Sequence, residues 1–314
     1  MRFYSFVEMR NPLMKGQSGS LRRRKLSVYL YLLPAALIML VMLGYPIIYN
    51  LVISFFNWTL RDPEITFHGI TNYIRVLTDH RFPTVVVNTL IWTLVGVLLQ
   101  MVIGIGLALF VSSMRRGRKY MRTIALLPWL IPGVVTALMW RFMFQADVGI
   151  INNMLMASGL TERNVLFLAD PNISMFSVIF VNLWRATPFW FLMITAALQN
   201  KPVDQIEAAT LDGARYPSIF RNVLLPHLSP IIATTGVLTT IWTLNYFDLI
   251  WVMTRGGPMD STSTLPVYTF RLAFEFNDFG RSAALAVVSL ILVAIMCIPY
   301  IIKMFSNMRQ GGVL

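Results

Sequence analysis

The chain has 314 residues, 56% of them hydrophobic and only 13% charged, with a mean hydropathy of +0.65. A soluble domain of this length needs no such apolar excess, which argues against an ordinary globular enzyme and for a membrane protein. The formal net charge of +12 would suit nucleic acid, but the basic residues sit beside apolar runs rather than along a polar domain, so membrane topology explains them better.

In chain order, residues 1–27 are a polar, basic tail ending in Leu21-Arg22-Arg23-Arg24-Lys25. The tail reads as disordered, with a weak interfacial helix around Phe3, Phe6 and Val7 as the alternative. The first apolar segment, 28–56, is too long for a signal-peptide core and its charged leader too extended, so an uncleaved spanning helix is expected, bent by Pro34, Gly44 and Pro46. Further spans are predicted at 84–113, 123–144 and 173–199, each with the roughly 20 residues that cross about 30 Å of hydrocarbon. Between the last two, 145–170 includes a predicted interfacial helix at 150–160. Arg185 falls near the middle of the fourth span, where a charge costs about 2.5 to 3.5 kcal/mol on insertion scales and so needs water or a partner. Pro188 is expected to loosen that helix at the same depth.

Residues 201–226, KPVDQIEAATLDGARYPSIFRNVLLP, interrupt the apolar sequence. Pro202 suits a helix start, Asp212-Gly213 a stop, Pro217 a second start, and Pro226 its bound. Ile206, Ala209 and Thr210 share one side of the first helix, which has a charged rim of Asp204, Glu207 and Asp212 and a shape suited to a groove on another protein. Glu207-Ala208-Ala209, then Gly213, then Val223-Leu224-Leu225-Pro226 at the observed spacings resembles the EAA loop in the membrane subunits of ATP-binding cassette importers, with Val223 where that family usually has Ile. Asp212-Gly213-Ala214 and Phe220 match the version seen in sugar-importer permeases of the maltose-transporter type. The resemblance extends across most of 28–305.

The fifth and sixth spans are predicted at 229–254 and 282–305, followed by a short tail, 306–314. On the fifth, Thr239, Trp242, Thr243 and Tyr246 share a helical face with Asn245 beside it, a mixture of ring planes and hydrogen-bonding groups that suits a sugar. Arg185 is about as deep as Asn245, and Asp248 lies about a turn shallower, so Arg185 is expected to reach Asp248 with Asn245 completing its hydrogen bonds. Trp184, Trp190, Asn88 and Gln100 are secondary candidates. Arg255-Gly256-Gly257-Pro258 reads equally as a flexible rim at the pathway mouth or as a plain turn. Six crossings place both termini on one side. Seventeen Lys and Arg fall in the terminal segments, 114–122 and 200–228, against seven in the opposite loops, which makes the first side cytoplasmic.

No phosphate loop, HExxH helix or paired-Cys spacing appears, and His68, His80 and His227 are scattered, so neither a catalytic set nor a metal site is expected. The fold expected is all-α, and the resemblance implies the six-helix type I importer permease fold, with cytoplasmic termini, in a bacterial inner membrane. It implies a second, homologous permease subunit, two ATPase subunits that bind the ATP and Mg, and an external solute-binding protein that delivers a carbohydrate. It assigns Glu207, Ala208, Ala209, Asp212, Gly213 and Ala214 to ATPase coupling, while depth and helical spacing point to a substrate pathway of Arg185, Thr239, Trp242, Thr243, Asn245, Tyr246 and Asp248. The maltose prototype's extra N-terminal spans and large external insertion are missing, so its sugar contacts do not transfer directly. A non-sugar importer permease and an ATPase-independent secondary transporter are the rival readings.

Overall fold

The computed structural model describes residues 31–61 and 64–310, without side chains at 299–301 and 303–310; the basic tail expected at 1–27 and the end of the 306–314 tail lie outside the described residues. Among these residues, five helices are long and apolar enough to cross a membrane, or six when one bent pair counts as a span. Helix α1 (Tyr31–Ile53) accounts for the described part of a first compact unit that ends at Val52. No side chain from 31 to 52 is buried. The helix contains a π turn at Leu40–Gly44, and Pro46 gives the reason. A proline ring clashes with the carbonyl four residues back, here that of Met42, and a widened turn relieves the clash.

The second unit starts at Ile53. A short antiparallel hairpin, β1 (Phe56–Asn57) and β2 (Thr66–Phe67), and α2 (Thr71–Leu77) lead into α3 (Phe82–Ser113). Next, α4 (Arg118–Leu130) and α5 (Gly133–Met143) meet at a 93° bend where the sequence predicts one span over 123–144. Pro132 accounts for the difference. It pushes Ile131 into extended backbone, ψ 127°, and supplies no amide to carry the helix across.

After α6 (Ile150–Ala157), α7 (Ser174–Ala197) runs through Pro188 and ends in a 3-10 turn, Leu198–Asn200. Then come α8 (Val203–Leu211) and the long α9 (Tyr216–Leu244). Pro226 does not bound a second short helix there. A π turn at Phe220–Leu224 places Asn222, whose carbonyl the proline ring would strike, inside a widened turn, and the helix continues. The predicted fifth span is divided instead at Asn245–Phe247. Tyr246 closes a tight turn by donating its amide to Thr243 O, and Asp248 starts α10 (Asp248–Thr254), where its charge complements the helix N-terminus. Helices α11 (Leu265–Phe274) and α12 (Phe279–Gln310) complete the described chain.

The core forms where α3 crosses α7. A Cβ on Gly104 of α3 would overlap Trp190 Cβ, so only glycine allows this approach, and Trp190 is fully buried as a result. One buried cluster joins Trp92, Trp140, Val178, Val181, Leu249 and Ile250. Another joins Ala108, Val111, Phe191, Ile194, Leu224 and Leu228, with Ile206 of α8 packed against it.

Candidate functional site

Two regions carry the predicted residues. The first is the helix and turn after α7. Pro202 stands immediately before the first turn of α8 rather than within it, and Asp204 lies in that turn, favourable to the helix dipole. At the other end, Gly213 adopts φ 79°, its amide donates to Thr210 O at 3.0 Å, and the Ala214 amide donates to Ala209 O at 2.9 Å. This bond pair is a Schellman cap, which needs a left-handed residue at Gly213.

Packing against the rest of the protein fixes which face of α8 is free. Ile206 and Ala209 are half-buried toward the protein, whereas Val203, Glu207, Ala208, Leu211, Asp212 and Gly213 are exposed. Thr210 is exposed as well, its hydroxyl donating to Ile206 O, so it does not join Ile206 and Ala209 in an inward face. The two alanines likewise face different ways. Leu211, 90% exposed, is an apolar side chain offered outward four residues after Glu207. Sequence reasoning missed it because a single leucine on a polar helix reads as an anchor to its own protein.

The second region is a cavity of about 60 Å³ between α3, α4, α7 and α9 and the turn after α9, lined by Gln100, Trp129, Asn182, Ala186, Phe189, Thr239, Trp242, Thr243 and Tyr246. Four of the seven predicted pathway residues, Thr239, Trp242, Thr243 and Tyr246, therefore meet at one place. Trp129, Phe189 and Trp242 form a row of rings, with centroids 5.9 and 4.9 Å apart along it. Trp129 and Phe189 were not legible as partners because the α4–α5 bend that brings Trp129 here breaks helical spacing. The Thr239 hydroxyl is taken by Thr235 O at 2.8 Å, while Gln100, Asn182 and Tyr246 have buried polar atoms without a partner. Gly133, just past the bend, has the Tyr246 hydroxyl where a Cβ would stand.

Arg185, Asn245 and Asp248 depart from expectation. The Arg185 guanidinium lies 5.1 Å from the centroid of the Tyr246 ring, a cation–π contact, and no ion pair joins it to Asp248 among the described residues. Division of the predicted span is the reason, since Asp248 starts a separate helix and is exposed. The Asn245 amide donates to Ile241 O at 2.9 Å, and its residue lines a different groove with Phe247, Thr269 and Phe270. Of the secondary candidates only Gln100 reaches the cavity. Asn88 instead ties α3 to the 256–263 loop through Asp260 O and Ser263 O.

That loop is a packed turn, not a flexible rim. Gly256, φ 88°, is buried against Val267 and Ser263, and the Thr254 and Thr262 hydroxyls bond at 2.6 Å. Around it, Asp260 pairs with Arg81 and Arg271, and Asp79 pairs with Arg281 at 2.6 Å and accepts from Tyr268 at 2.6 Å. Burial opposes ionisation of Asp79, but the bonds from Tyr268, the Arg81 amide and Arg281 outweigh it and hold the carboxyl below its ordinary value. Burial, then the bond to Asp79, pushes the Tyr268 phenol up to about 12.

Spans enclosing a polar and aromatic cavity, with an exposed capped helix beyond their ends, define a multi-pass helical membrane protein. Residues 100–308 match the family of inner membrane components of binding-protein-dependent transport systems, well over half of the chain, and the protein belongs to that family. The trehalose/maltose transport system permease protein of Thermococcus litoralis is 32% identical, over 87% of this chain and 92% of that one. A probable ABC transporter permease of Sinorhizobium fredii is 33% identical over 93% and 96%, and an inner membrane ABC transporter permease of Escherichia coli is 32% identical over 84% and 89%. A chain in the crystal structure of a bacterial ABC transporter that imports the acidic polysaccharide alginate superimposes with a TM-score of 0.78 at 23% identity, covering 90% of this chain and 96% of its own; this likeness shows the fold. The protein is thus a permease subunit of a binding-protein-dependent ABC importer.

Proposed function

We propose that this subunit translocates a carbohydrate delivered by an external binding protein, and that α8 couples the movement to a separate ATPase. The observation that carries the carbohydrate reading is the convergence of Thr243, Tyr246, Gln100 and Asn182 with the Trp129–Phe189–Trp242 row on one cavity. Rings stack on the C–H face of a pyranose while amides and hydroxyls exchange hydrogen bonds with its rim. A relative that carries trehalose or maltose in its name agrees with this reading. At about 60 Å³ the cavity has room for a few waters, each needing ~10–15 Å³, but not for a sugar ring. A sugar therefore enters this cavity only when the spans part, with the Pro132 bend and Pro188 as the places where they yield.

Glu207, Ala208 and Leu211 form the surface seated in an ATPase cleft, and the Asp212-Gly213-Ala214 cap sets the angle of the lever. ATP and Mg bind in the two ATPase subunits. Their preference for the closed ATPase pair shifts the permease toward its outward-open state, and hydrolysis returns it. A second, homologous permease completes the pathway, in a bacterial inner membrane with the termini and 201–226 cytoplasmic.

The test is uptake by the complete complex in proteoliposomes, with binding protein, across maltose, trehalose, glucose, mannitol, glycerol 3-phosphate and uronate oligosaccharides. ATP-dependent uptake of one or more of these is expected, falling about tenfold or more in Trp242→Ala through lost ring contact. Uptake of none of them, or uptake without ATP, contradicts the proposal.

A further inference from the structure

The cavity contains a carboxamide whose two polar atoms the fold leaves unused. Gln100 of α3 is 0% exposed, and neither its amide nitrogen nor its amide oxygen has a hydrogen-bond partner. Buried amides are nearly always satisfied, so a fully orphaned one calls for a ligand or bound water. The adjoining cavity has room for water as it stands, and for a sugar once the spans part. A Cβ on Gly96, one turn earlier, would stand 4.0 Å from Gln100 Nε2 and 3.9 Å from both Asn182 Nδ2 and Thr243 Cγ2, so the two amides are neighbours. The Asn182 amide nitrogen is also unpaired, and both residues line the cavity with the aromatic row.

We infer that Gln100 is a specificity-determining residue that reads a pair of adjacent hydroxyls on the carbohydrate as it passes. This rests on the carbohydrate reading above. A carboxamide presents one donor edge and one acceptor side by side, and two neighbouring hydroxyls can accept from the first and donate to the second. An apolar solute would leave both amide atoms dry. Without substrate waters hold the positions, and the hydroxyls displace them with equivalent bonds. Specificity follows because a solute without the matching hydroxyls strands the buried amide.

The experiment uses the whole complex and the carbohydrate taken up best in the panel above, together with its monodeoxy derivatives, each in wild type, Gln100→Leu and Gln100→Asn. The same binding protein in every arm cancels its own preferences when variants are compared sugar by sugar. For the parent sugar, Gln100→Leu is expected to raise KM about tenfold, the loss falling in KM rather than kcat. The deoxy derivative lacking a hydroxyl read by Gln100 should lose nothing further in that variant, since the bond is already gone. Gln100→Asn, which keeps the amide one methylene shorter, should recover part of the parent sugar's KM, and it stands in if the leucine variant does not assemble. An amide that only organises water for packing would reduce uptake of parent and deoxy sugars by the same factor, and that result, or an unchanged KM, overturns the assignment. If no carbohydrate is transported, the carbohydrate reading fails and takes this one with it. If Trp242→Ala impairs uptake while both Gln100 variants match wild type, only the role of Gln100 fails.

Discussion

Gly104 and Gly106 lie two residues apart on α3 and have opposite surroundings. A side chain at Gly104 would run into Trp190, while one at Gly106 meets nothing within 4 Å. Gly104→Val should therefore destabilise the purified protein by about 1–3 kcal/mol or more, as overpacking does, and Gly106→Val should have a small effect, both read as thermal unfolding in detergent. Asp79 gives a prediction with a pH sign. Its folded carboxyl titrates below the ordinary 3.8, so its stabilisation is fully present above that value and is lost as pH falls through the lower, folded one. Asp79→Asn should unfold more easily than wild type at neutral pH, and the gap should close only in strong acid; a gap that closes near neutrality would point to another group. Nothing in the sequence singles out Asp79, Tyr268 and Arg281 as partners. Their bonds span 189 and 202 positions, a separation that no local pattern encodes.

At the scale of elements, Pro46, Pro132 and Pro226 each lie at a departure from regular helix, but a proline does not fix the form of the departure. Pro132 divides a predicted span, whereas Pro46 and Pro226 leave their helices continuous behind a π turn. A widened turn can absorb the ring, and tertiary contacts such as Tyr246 against Gly133 stabilise the alternative, so the outcome depends on neighbours that the local sequence does not show. The helical periodicity that grouped Thr239, Trp242, Thr243 and Tyr246 was sufficient within α9 and its closing turn, but it carried Asp248 past the end of that helix. For α8 the stop at Asp212-Gly213 was legible, because the glycine requirement of the cap is local. Its free face was not, since burial of Ile206 depends on the ends of α3 and α9. Leu211→Asp should weaken ATPase attachment about tenfold or more, measured by co-purification, because a central apolar contact is replaced by a buried charge. Full retention of the ATPase would place the docking surface elsewhere.

For the molecule as a whole, composition already separated a membrane protein from a soluble one, and the uneven distribution of Lys and Arg implies one orientation. Leu211→Cys makes that orientation measurable, since Cys297, the one cysteine in the chain, is buried. An impermeant maleimide should label position 211 only from the cytoplasmic face, and labelling from outside would invert the topology. The central claim is that α8 acts as a lever between ATP hydrolysis and a pathway through the spans. Gly213→Val addresses it most directly, because a Cβ there meets nothing within 4 Å and the cost, about 1–2 kcal/mol for a left-handed branched residue, falls on the cap alone. The measurement is uptake and ATP hydrolysis in the same proteoliposomes. The account predicts that the variant inserts and assembles normally and hydrolyses ATP with little or no uptake; uptake per ATP equal to wild type would contradict it.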